Sequence, residues 1–472
     1  MQMNPDSGLM VAGLAAAGLA AWGASSLTYQ IYKYIRATPL QRRRLRHSYR
    51  VRATWKRTAM NTSLVRVDEA SKGKTDPFNG KPQKPRTMVP KIKVFPEPWG
   101  LRIMLKTIAK VGLDEVEKAS GWLADAWDCE SVEVIRKSPG VLEIRAVVGQ
   151  PLDEHFPYDF GGDDLVLPVG RNSWGKLIGL TLRELSGVKV AGLPGFGKTT
   201  LLTAWIAKLA QRADVQFCVF DGKTADPRYG DWSHMGERAI FVVGDNPEAA
   251  NQKLTEIVRL IKDRPGHLVD ERGTHKFWKH GPTPLNPLVL VVMDECHNFS
   301  DTKGLTGQYK AVVESNQRMM QTVSKEGRGT GVIGIFLTQK QTGDAIPTAV
   351  RDNLGVGICF ATFTIEAAEA ALGAAIRKDE PNDPTLLNDQ ERFNGVAVVT
   401  GLPGLGARYD RVRIGDVDED QVLKLIQASG HLRRDVIPAA APVLRDTATA
   451  DEKAGGSVPL QKPATRSRKK AS

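Results

Sequence analysis

The sequence predicts an α/β protein with a parallel sheet, preceded by a small α+β domain and one N-terminal transmembrane helix. Three observations support this prediction. Between residues 151 and 428, short apolar runs alternate with helical segments, which is the pattern of a parallel sheet. A glycine-rich loop, Gly192–Thr200, lies between one such run and a helical segment. Residues 8–32 carry no charge and are numerous enough to cross a bilayer.

The uncharged stretch 8–32 is the predicted transmembrane helix. No positive charge precedes it, as a signal peptide would require, whereas Lys33, Arg36 and a basic run follow it. The positive-inside rule then predicts a single-pass protein of the cell membrane, with its N-terminus outside and the rest of the chain in the cytoplasm. The alternative is a buried alanine-rich helix. Residues 33–90 form a basic juxtamembrane segment and linker, whose charge suits anionic lipid headgroups.

The distribution of charge and the spacing of the cysteines limit what composition alone can indicate. The formal net charge is +12, but residues 1–67 carry eleven Lys or Arg against one acid, and residues 433–472 carry nine against four. The body between these ends is therefore slightly acidic, and overall charge is no evidence that it binds nucleic acid. The four cysteines, Cys129, Cys218, Cys296 and Cys359, lack metal-site spacing and are expected to be reduced core thiols of a cytoplasmic protein.

Two further segments complete the predicted organisation. Residues 91–150 form a small α+β domain, with alternating strands on either side of a helical segment that begins at Leu113. This domain carries no catalytic constellation, and an adaptor or oligomerisation role is expected. Residues 151–428 form the large α/β domain, and residues 429–472, rich in Ala, Pro, Arg and Lys, are expected to form a disordered basic tail.

The glycine-rich loop fits the phosphate-binding pattern G-x-x-x-x-G-K-[ST], which predicts an ATP site. Its glycines let backbone N–H groups surround phosphates, and the following helix directs its positive end toward them. Lys198 is expected to reach the β- and γ-phosphates, and the Thr199 hydroxyl to hold Mg²⁺. The predicted nucleotide-binding residues are Gly192, Leu193, Pro194, Gly195, Phe196, Gly197, Lys198, Thr199 and Thr200.

The apolar run Leu288–Met293 ends in a pair of carboxylates, Asp294 and Glu295. We expect Asp294 to coordinate Mg²⁺ and Glu295 to polarise the attacking water. A second apolar run ends in Thr338 and Gln339, where Gln339 either senses the γ-phosphate or satisfies hydrogen bonds of the core. These residues predict hydrolysis of ATP rather than binding alone.

Arg328 precedes the second run, in a glycine-rich segment that predicts an exposed turn. It is either a solvated surface residue or, in a ring of subunits, an arginine finger for the neighbouring site. An arginine finger accelerates hydrolysis by about 10³-fold or more.

These motifs resemble the FtsK/SpoIIIE family of ring-forming DNA translocases. The resemblance covers about 167–373 and is carried by V190-A-G-L-P-G-F-G-K-T-T, F220-D-G-K, V292-M-D-E-C-H-N-F and G327-R-G-T-G-V-I-G-I-F-L-T-Q-K. The segments T342-G-D-A-I-P-T-A-V-R-D-N and G273-T-H-K-F-W-K-H-G-P-T-P-L-N-P are similar to conjugal-transfer members of the TraB/TraSA type, from actinobacterial plasmids and integrative elements.

The resemblance implies a RecA-like ATPase core, a homo-hexamer and translocation of double-stranded DNA during conjugation. Lys303, Lys310 and Lys340 are candidate DNA contacts in the pore of such a ring, or ordinary surface lysines. One departure is Gly357, where the family has an arginine, whose role is either lost or transferred to Arg351.

Three alternatives remain open at this stage. A type VII-like protein-secretion ATPase shares this kind of motor, although such chains usually carry several motors in tandem. A coupling protein for single-stranded DNA transfer is the second alternative. The third, an inactive scaffold, conflicts with the intact Lys198, Thr199, Asp294 and Glu295.

Overall fold

The computed structural model describes residues 39–68, 85–97, 99–149, 151–162, 164–340, 346–405 and 408–436. The chain divides into two compact units, 1–151 and 152–472. The predicted transmembrane stretch 8–32 lies outside the described residues. Among the helices that are described, none combines the length and the apolar character needed to cross a bilayer.

The described part of the first unit contains a four-stranded antiparallel sheet and three helices. Helix α1 (Pro39–Asn61) comes first, followed by the paired short strands β1 (Arg66–Val67) and β2 (Thr87–Met88). The sheet has the order β3-β4-β6-β5, and its strands are β3 (Lys91–Glu97), β4 (Gly100–Lys106), β5 (Ser131–Ser138) and β6 (Val141–Val147). Helices α2 (Leu113–Lys118) and α3 (Ser120–Trp127) connect β4 to β5. Strands β3 to β6, with α2 and α3 between them, follow the order expected for residues 91–150.

Helix α1 differs from the linker that the sequence predicts for residues 33–90. Its residues Val51, Trp55 and Ala59 are buried and belong to one hydrophobic cluster with the sheet residues Ile103 and Leu105. The Trp55 indole also donates a 2.7 Å hydrogen bond to the Pro90 carbonyl. Three apolar residues at i, i+4 and i+8 lie on one helix face, which explains why a basic segment packs as part of the core.

The second unit contains a ten-stranded sheet with helices. Its strands are β7 (Val166–Asn172), β8 (Leu177–Thr181), β9 (Gly187–Ala191), β10 (Val215–Asp221), β11 (Phe241–Val243), β12 (Leu288–Asp294), β13 (Val332–Thr338), β14 (Val356–Cys359), β15 (Val396–Thr400) and β16 (Tyr409–Arg413). Its helices are α4 (Lys198–Ala210), α5 (Pro247–Arg272), α6 (Phe277–His280), α7 (Gly307–Thr330), α8 (Thr348–Arg351), α9 (Ile365–Leu372), α10 (Gln390–Phe393) and α11 (Glu419–Ala428).

The order of this sheet is β11-β10-β12-β13-β9-β14-β15-β16-β7-β8. The strands from β11 to β14 run parallel, as predicted, and the pairings from β14 onward through β15, β16, β7 and β8 are antiparallel. The parallel strands are almost wholly buried, which matches their continuous apolar runs. Because parallel strands end at the same edge, the loops after β9, β10, β12 and β13 meet there.

Two predicted segments have a different structure. Arg328 lies in the last turn of α7 and not in an exposed turn, because the helix continues to Thr330. Gly327 permits this packing, since a Cβ there would lie 2.3 Å from the Val332 carbonyl oxygen. Residues 429–436, assigned to the disordered tail, pack on the motor: Arg433 donates to the Ile240 carbonyl, and the Arg434 N–H to the Gln216 side chain.

Packing explains why Gly357 occupies the position at which the resembling family has an arginine. A Cβ at this position in β14 would lie 2.1 Å from the carbonyl oxygen of Ala371 in α9. Helix α9 therefore approaches the sheet too closely for any larger residue. Arg351, the proposed substitute, lies in α8, where its carbonyl accepts a 3.4 Å hydrogen bond from the buried Lys189.

Candidate nucleotide site

The predicted phosphate loop connects β9 to α4 and runs from Gly192 to Gly197, with Lys198 as the first residue of the helix. Gly195 and Gly197 have φ angles of 77° and 103°, in the region that favours glycine. At Gly192, a Cβ would lie 2.7 Å from the Cβ of Phe360. The loop therefore depends on glycine both for its backbone conformation and for its close packing.

The Lys198 side chain is buried beneath this loop. Its Nζ donates hydrogen bonds of 2.8 Å and 2.7 Å to the carbonyl oxygens of Gly192 and Leu193. Burial lowers the pKa of Lys198 to about 8, although Glu295 and Asp294 act in the opposite direction. Thr199 is half-buried and Thr200 is exposed, one residue further along the helix.

Asp294 ends β12 and is completely buried. One carboxylate oxygen accepts the Glu295 N–H at 3.0 Å, and the other accepts the Trp232 indole N–H at 3.0 Å. The second oxygen also forms a 3.0 Å ion pair with Lys223. These contacts fix the orientation of the Asp294 carboxylate.

Glu295 has a left-handed backbone, with φ 48° and ψ 50°. A non-glycine residue in this conformation costs about 1 kcal/mol, and such strain concentrates at functional sites. Its Oε2 accepts a 3.1 Å hydrogen bond from the Gln339 N–H and lies 3.2 Å from His297 Nδ1. Burial raises the pKa of Glu295, but His297 and the Gln339 N–H outweigh it and hold this pKa below its ordinary value. The side chain is therefore a carboxylate at neutral pH.

Asp221 and Lys223 are site residues that were not predicted. Asp221 ends β10, lies directly opposite Asp294 in register and is fully buried. Its pKa is raised by burial and by the charge of Asp294. Lys223 forms a 2.9 Å ion pair with Asp231 as well as its pair with Asp294; burial opposes its charge, but Asp294 and Asp231 raise its pKa to about 12. The motif F220-D-G-K could have indicated them. It is one of the motifs that carry the family resemblance, but no function was predicted for its Asp221 and Lys223.

The structure brings Gln339 into the site and leaves Arg328 outside it. The Gln339 backbone contacts Glu295, so β13 joins the acidic strand at the same edge as the phosphate loop. Arg328 lies just before the start of β13, at the opposite edge of the sheet, and forms a 3.4 Å ion pair with Glu184. Any action of Arg328 on a nucleotide must therefore be on a neighbouring subunit.

The three candidate DNA lysines lie on different elements. Lys303 is in the loop after the acidic pair, Lys310 is in α7, and Lys340 follows β13. Lys340 forms a 2.7 Å ion pair with Asp301, whose carboxylate also accepts the Lys303 N–H at 3.0 Å. Lys310 lies in the first turn of α7 and is 3.8 Å from Glu314. The structure thus links Lys303 and Lys340 through one acidic residue and places Lys310 on a separate helix.

The residues present fit a nucleotide with Mg²⁺. Glu295 Oε1 and Asp221 Oδ2 are buried oxygens without a hydrogen-bond partner among the described residues. Thr199 supplies a hydroxyl and Asp294 a carboxylate, and oxygen ligands of these two kinds suit Mg²⁺. When bound, the metal ion would neutralise phosphate charge. Lys198 would bind the phosphates, and Glu295 would orient the attacking water and accept its proton.

The depressed pKa of Lys198 predicts that nucleotide affinity decreases as the pH rises through about 8. Below this pH the ammonium is already formed. Above it, a bound polyphosphate has to restore the charge, so binding takes up a proton. The stability of the free protein has the opposite pH dependence. Burying the charged ammonium lowers the free energy of unfolding at low pH, and this cost is relieved as the pH rises from about 8 to the ordinary pKa of 10.5.

Titration calorimetry of ATP binding in buffers of different ionisation enthalpy measures this proton uptake. Lys198→Arg is the control, because arginine stays protonated and should remove the pH dependence where binding is retained. Equal affinities on both sides of pH 8, without proton uptake, would contradict the assigned role of Lys198.

Comparison with known proteins supports part of this interpretation. No protein-family profile matches the chain. It is 24% identical over 258 residues to the DNA translocase FtsK of Staphylococcus aureus, a match that covers 51% of the chain and 30% of that protein. It is 20% identical over 334 residues to the FtsK of Bacillus anthracis, covering 66% and 38%. The chain thus spans about a third of the length of these relatives.

Among solved structures, the chain is similar to the conjugation coupling protein TcpA of pCW3, in its monomer form with ATPγS. The identity is 17%, the TM-score is 0.49, and the match covers 72% of this chain and 94% of TcpA. The sequence relatives confirm the predicted resemblance and the presence of an ATPase core.

Proposed function

Starting from an FtsK-type ATPase core, we propose that this chain is a membrane-anchored, ATP-driven translocase of double-stranded DNA. The observation that carries the proposal is the meeting of Lys198, Asp294, Glu295 and Gln339 at one edge of a sheet, in a chain whose curated relatives are DNA translocases. The proposed setting is the conjugal transfer of a plasmid or an integrative element, based on the motifs at 273–287 and 342–353.

The proposed working unit is a homo-hexamer with DNA in its central pore. Arg328 is compatible with this proposal, because from the opposite edge of the sheet it could reach only the nucleotide of a neighbouring subunit. Lys303, Lys310 and Lys340 are the proposed DNA contacts. Since Lys340 is paired with Asp301, a DNA phosphate would have to replace this carboxylate as its partner.

Two other functions use the same core. A protein-secretion ATPase would respond to a polypeptide, and a coupling protein for single-stranded transfer would respond to single-stranded DNA. The slightly acidic body does not separate these functions, because a ring needs few phosphate contacts per subunit. The polymer that stimulates hydrolysis does separate them.

We expect duplex DNA to stimulate ATP turnover of the hexameric protein more strongly than single-stranded DNA of equal length. The stimulation should decrease with salt, because phosphate contacts release counterions. Steady-state phosphate release, measured with each polymer across a salt series, tests this expectation. A response to single-stranded DNA alone would favour the coupling protein, and a hexamer unaffected by either polymer would refute DNA translocation.

The matched variants are Lys303→Gln with Lys340→Gln, and Lys262→Gln with Lys325→Gln on the outer surface of α5 and α7. Both pairs remove two charges. The first pair should raise the DNA concentration needed for half-maximal stimulation by about tenfold or more, at roughly 1 kcal/mol per contact. The second pair should have little effect.

A further inference from the structure

The first unit has a basic groove between α1 and α3 that the proposed motor does not use. The groove has a volume of about 290 Å³. Its lining residues are Arg50, Thr54, Arg57, Thr58, Asn61, Thr62, Trp122 and Ala126.

The charge of α1 has no compensation within the helix. Residues 39–61 contain eight Lys or Arg and no acidic residue. Arg43, Arg50 and Arg57 are spaced by seven residues, so they follow one face of the helix, and all three are exposed. Within the described part of the chain, neither Arg50 nor Arg57 takes part in an ion pair. A row of cations of this kind is stabilised by an external anion.

The donors in the groove suit a phosphate group. Thr54, Thr58 and Thr62 donate their hydroxyl protons to carbonyls of α1. The groups left to bind a ligand are the guanidinium groups of Arg50 and Arg57 and the amide of Asn61. Arginine forms paired hydrogen bonds with phosphate oxygens, and two arginines two turns apart can hold one headgroup between them.

Trp122 indicates which phosphate-bearing partner the groove fits. It is 71% exposed, whereas the other tryptophans of the described ranges are buried or half-buried. Tryptophan is favoured at the boundary between lipid headgroups and acyl chains, and basic residues bind an anionic membrane surface. The outside of a DNA duplex offers phosphate but no apolar layer for an indole ring.

We propose that this groove binds the phosphate headgroup of an anionic phospholipid, with Trp122 inserted at the membrane interface. Arg50 and Arg57 then hold the phosphate, and the first unit serves as a lipid-binding module that orients the chain on the membrane. This inference rests on the proposed membrane association. It goes beyond the general attraction of the basic segment, because it requires a particular face of α1 and a residue of α3.

The test uses the full chain in nanodiscs of phosphatidylcholine alone or mixed with phosphatidylglycerol. An environment-sensitive thiol dye is attached through Ala126→Cys, an exposed position in the groove. The native Cys129 reacts slowly, because burial raises its pKa to about 12. We expect the dye emission to shift to the blue only with phosphatidylglycerol. This shift should be strongly reduced by Trp122→Ala.

The matched variants separate the groove from overall charge. Arg50→Gln with Arg57→Gln should weaken the lipid response by about fivefold per arginine, from roughly 1 kcal/mol for each basic residue near an anionic surface. Lys56→Gln with Lys93→Gln removes two exposed lysines outside the groove and should retain the response. An equal loss in both pairs would refute the groove and leave only diffuse attraction.

Replacing the anionic lipid by other phosphate compounds identifies the source of the phosphate. Inorganic phosphate or a short duplex, added to neutral nanodiscs, should not reproduce the shift. A shift with inorganic phosphate would show a free-anion site, and a shift with the duplex would show a DNA-binding face, and either would overturn the proposal. DNA-stimulated turnover is measured in parallel; its retention in the arginine variant shows intact folding and separates this inference from the proposed translocase.

Discussion

Replacing Glu295 with glutamine is expected to lower ATP turnover by about 10²–10⁴-fold while ATP binding is retained. This range is the usual contribution of a positioned general base. Glutamine has the shape of glutamate, so it preserves the packing of the loop after β12. It lacks the negative charge, and its amide cannot accept a proton from the attacking water.

The geometry explains why this carboxylate suits the role of a base. Oε2 is held by the Gln339 N–H and lies beside His297, while Oε1 has no hydrogen-bond partner among the described residues. One oxygen is therefore held in place, and the other can accept a proton from the attacking water. The pKa of Glu295, held below its ordinary value, keeps the carboxylate ionised at neutral pH. Activity should therefore decline only at a pH below the ordinary range of a glutamate.

Phosphate release and the binding of a fluorescent ATP analogue measure the two halves of this prediction. The control is Asp301→Asn, which removes a nearby carboxylate that pairs with Lys340 and has no assigned part in the chemistry. We expect that control to hydrolyse ATP in the absence of DNA at close to the normal rate. Turnover of Glu295→Gln within tenfold of the unmodified protein would show that another group is the base.

The parallel half of the large sheet could be predicted from the sequence because its strands are buried on both faces. Strands β12 and β13 are continuous apolar runs, β10 is apolar from Phe217 to Phe220, and each ends in polar residues at the edge that carries the candidate site. The antiparallel half could not be predicted in this way. Strand β7 contains a proline and a glycine, and Arg413 of β16 donates to the carbonyl of Leu152, which is distant in the sequence.

The site residues that could be predicted are those that lie next to one another in the sequence. The phosphate loop and the acidic pair are each continuous in sequence, so their chemistry can be recognised there. The contact of Gln339 with Glu295 and the ion pair of Lys223 with Asp294 depend instead on which strands lie side by side. Arg328 shows the same limit: its glycine-rich surroundings indicate a turn, but packing against Val332 extends the helix through them.

The loss of Lys223 is expected to produce the second large effect. Lys223→Ala should destabilise the motor by about 3 kcal/mol, because removing one partner of a largely buried ion pair leaves an uncompensated charge. Asp294 is fully buried, and Asp221 lies beside it in register on the adjacent strand. With the ammonium gone, these two buried carboxylates, which lie on paired strands about 5 Å apart, would repel each other.

The pH dependence of this loss distinguishes repulsion from a packing defect. The pKa of Asp221 is already raised by burial and by Asp294, and removal of Lys223 should raise it further. A carboxyl group with a raised pKa in the folded state destabilises the protein above that pKa, and the penalty disappears as acid protonates it. The deficit of Lys223→Ala should therefore shrink as the pH falls, whereas a cavity would cost the same at every pH.

Mg²⁺ should restore part of the lost stability, because a cation bound near Asp294 would replace the missing positive charge. Calorimetric unfolding with Mg²⁺ or with a chelator, over a pH series, measures this effect. A loss of about 3 kcal/mol corresponds to a decrease in Tm of roughly 5 °C for a unit of about 300 residues. Lys223→Arg should retain most of the stability, and Asp231→Asn, which removes the more exposed partner, should cost under about 1 kcal/mol. A deficit insensitive to both pH and Mg²⁺ would show that Lys223 acts by packing, and not as the counter-charge of the two aspartates.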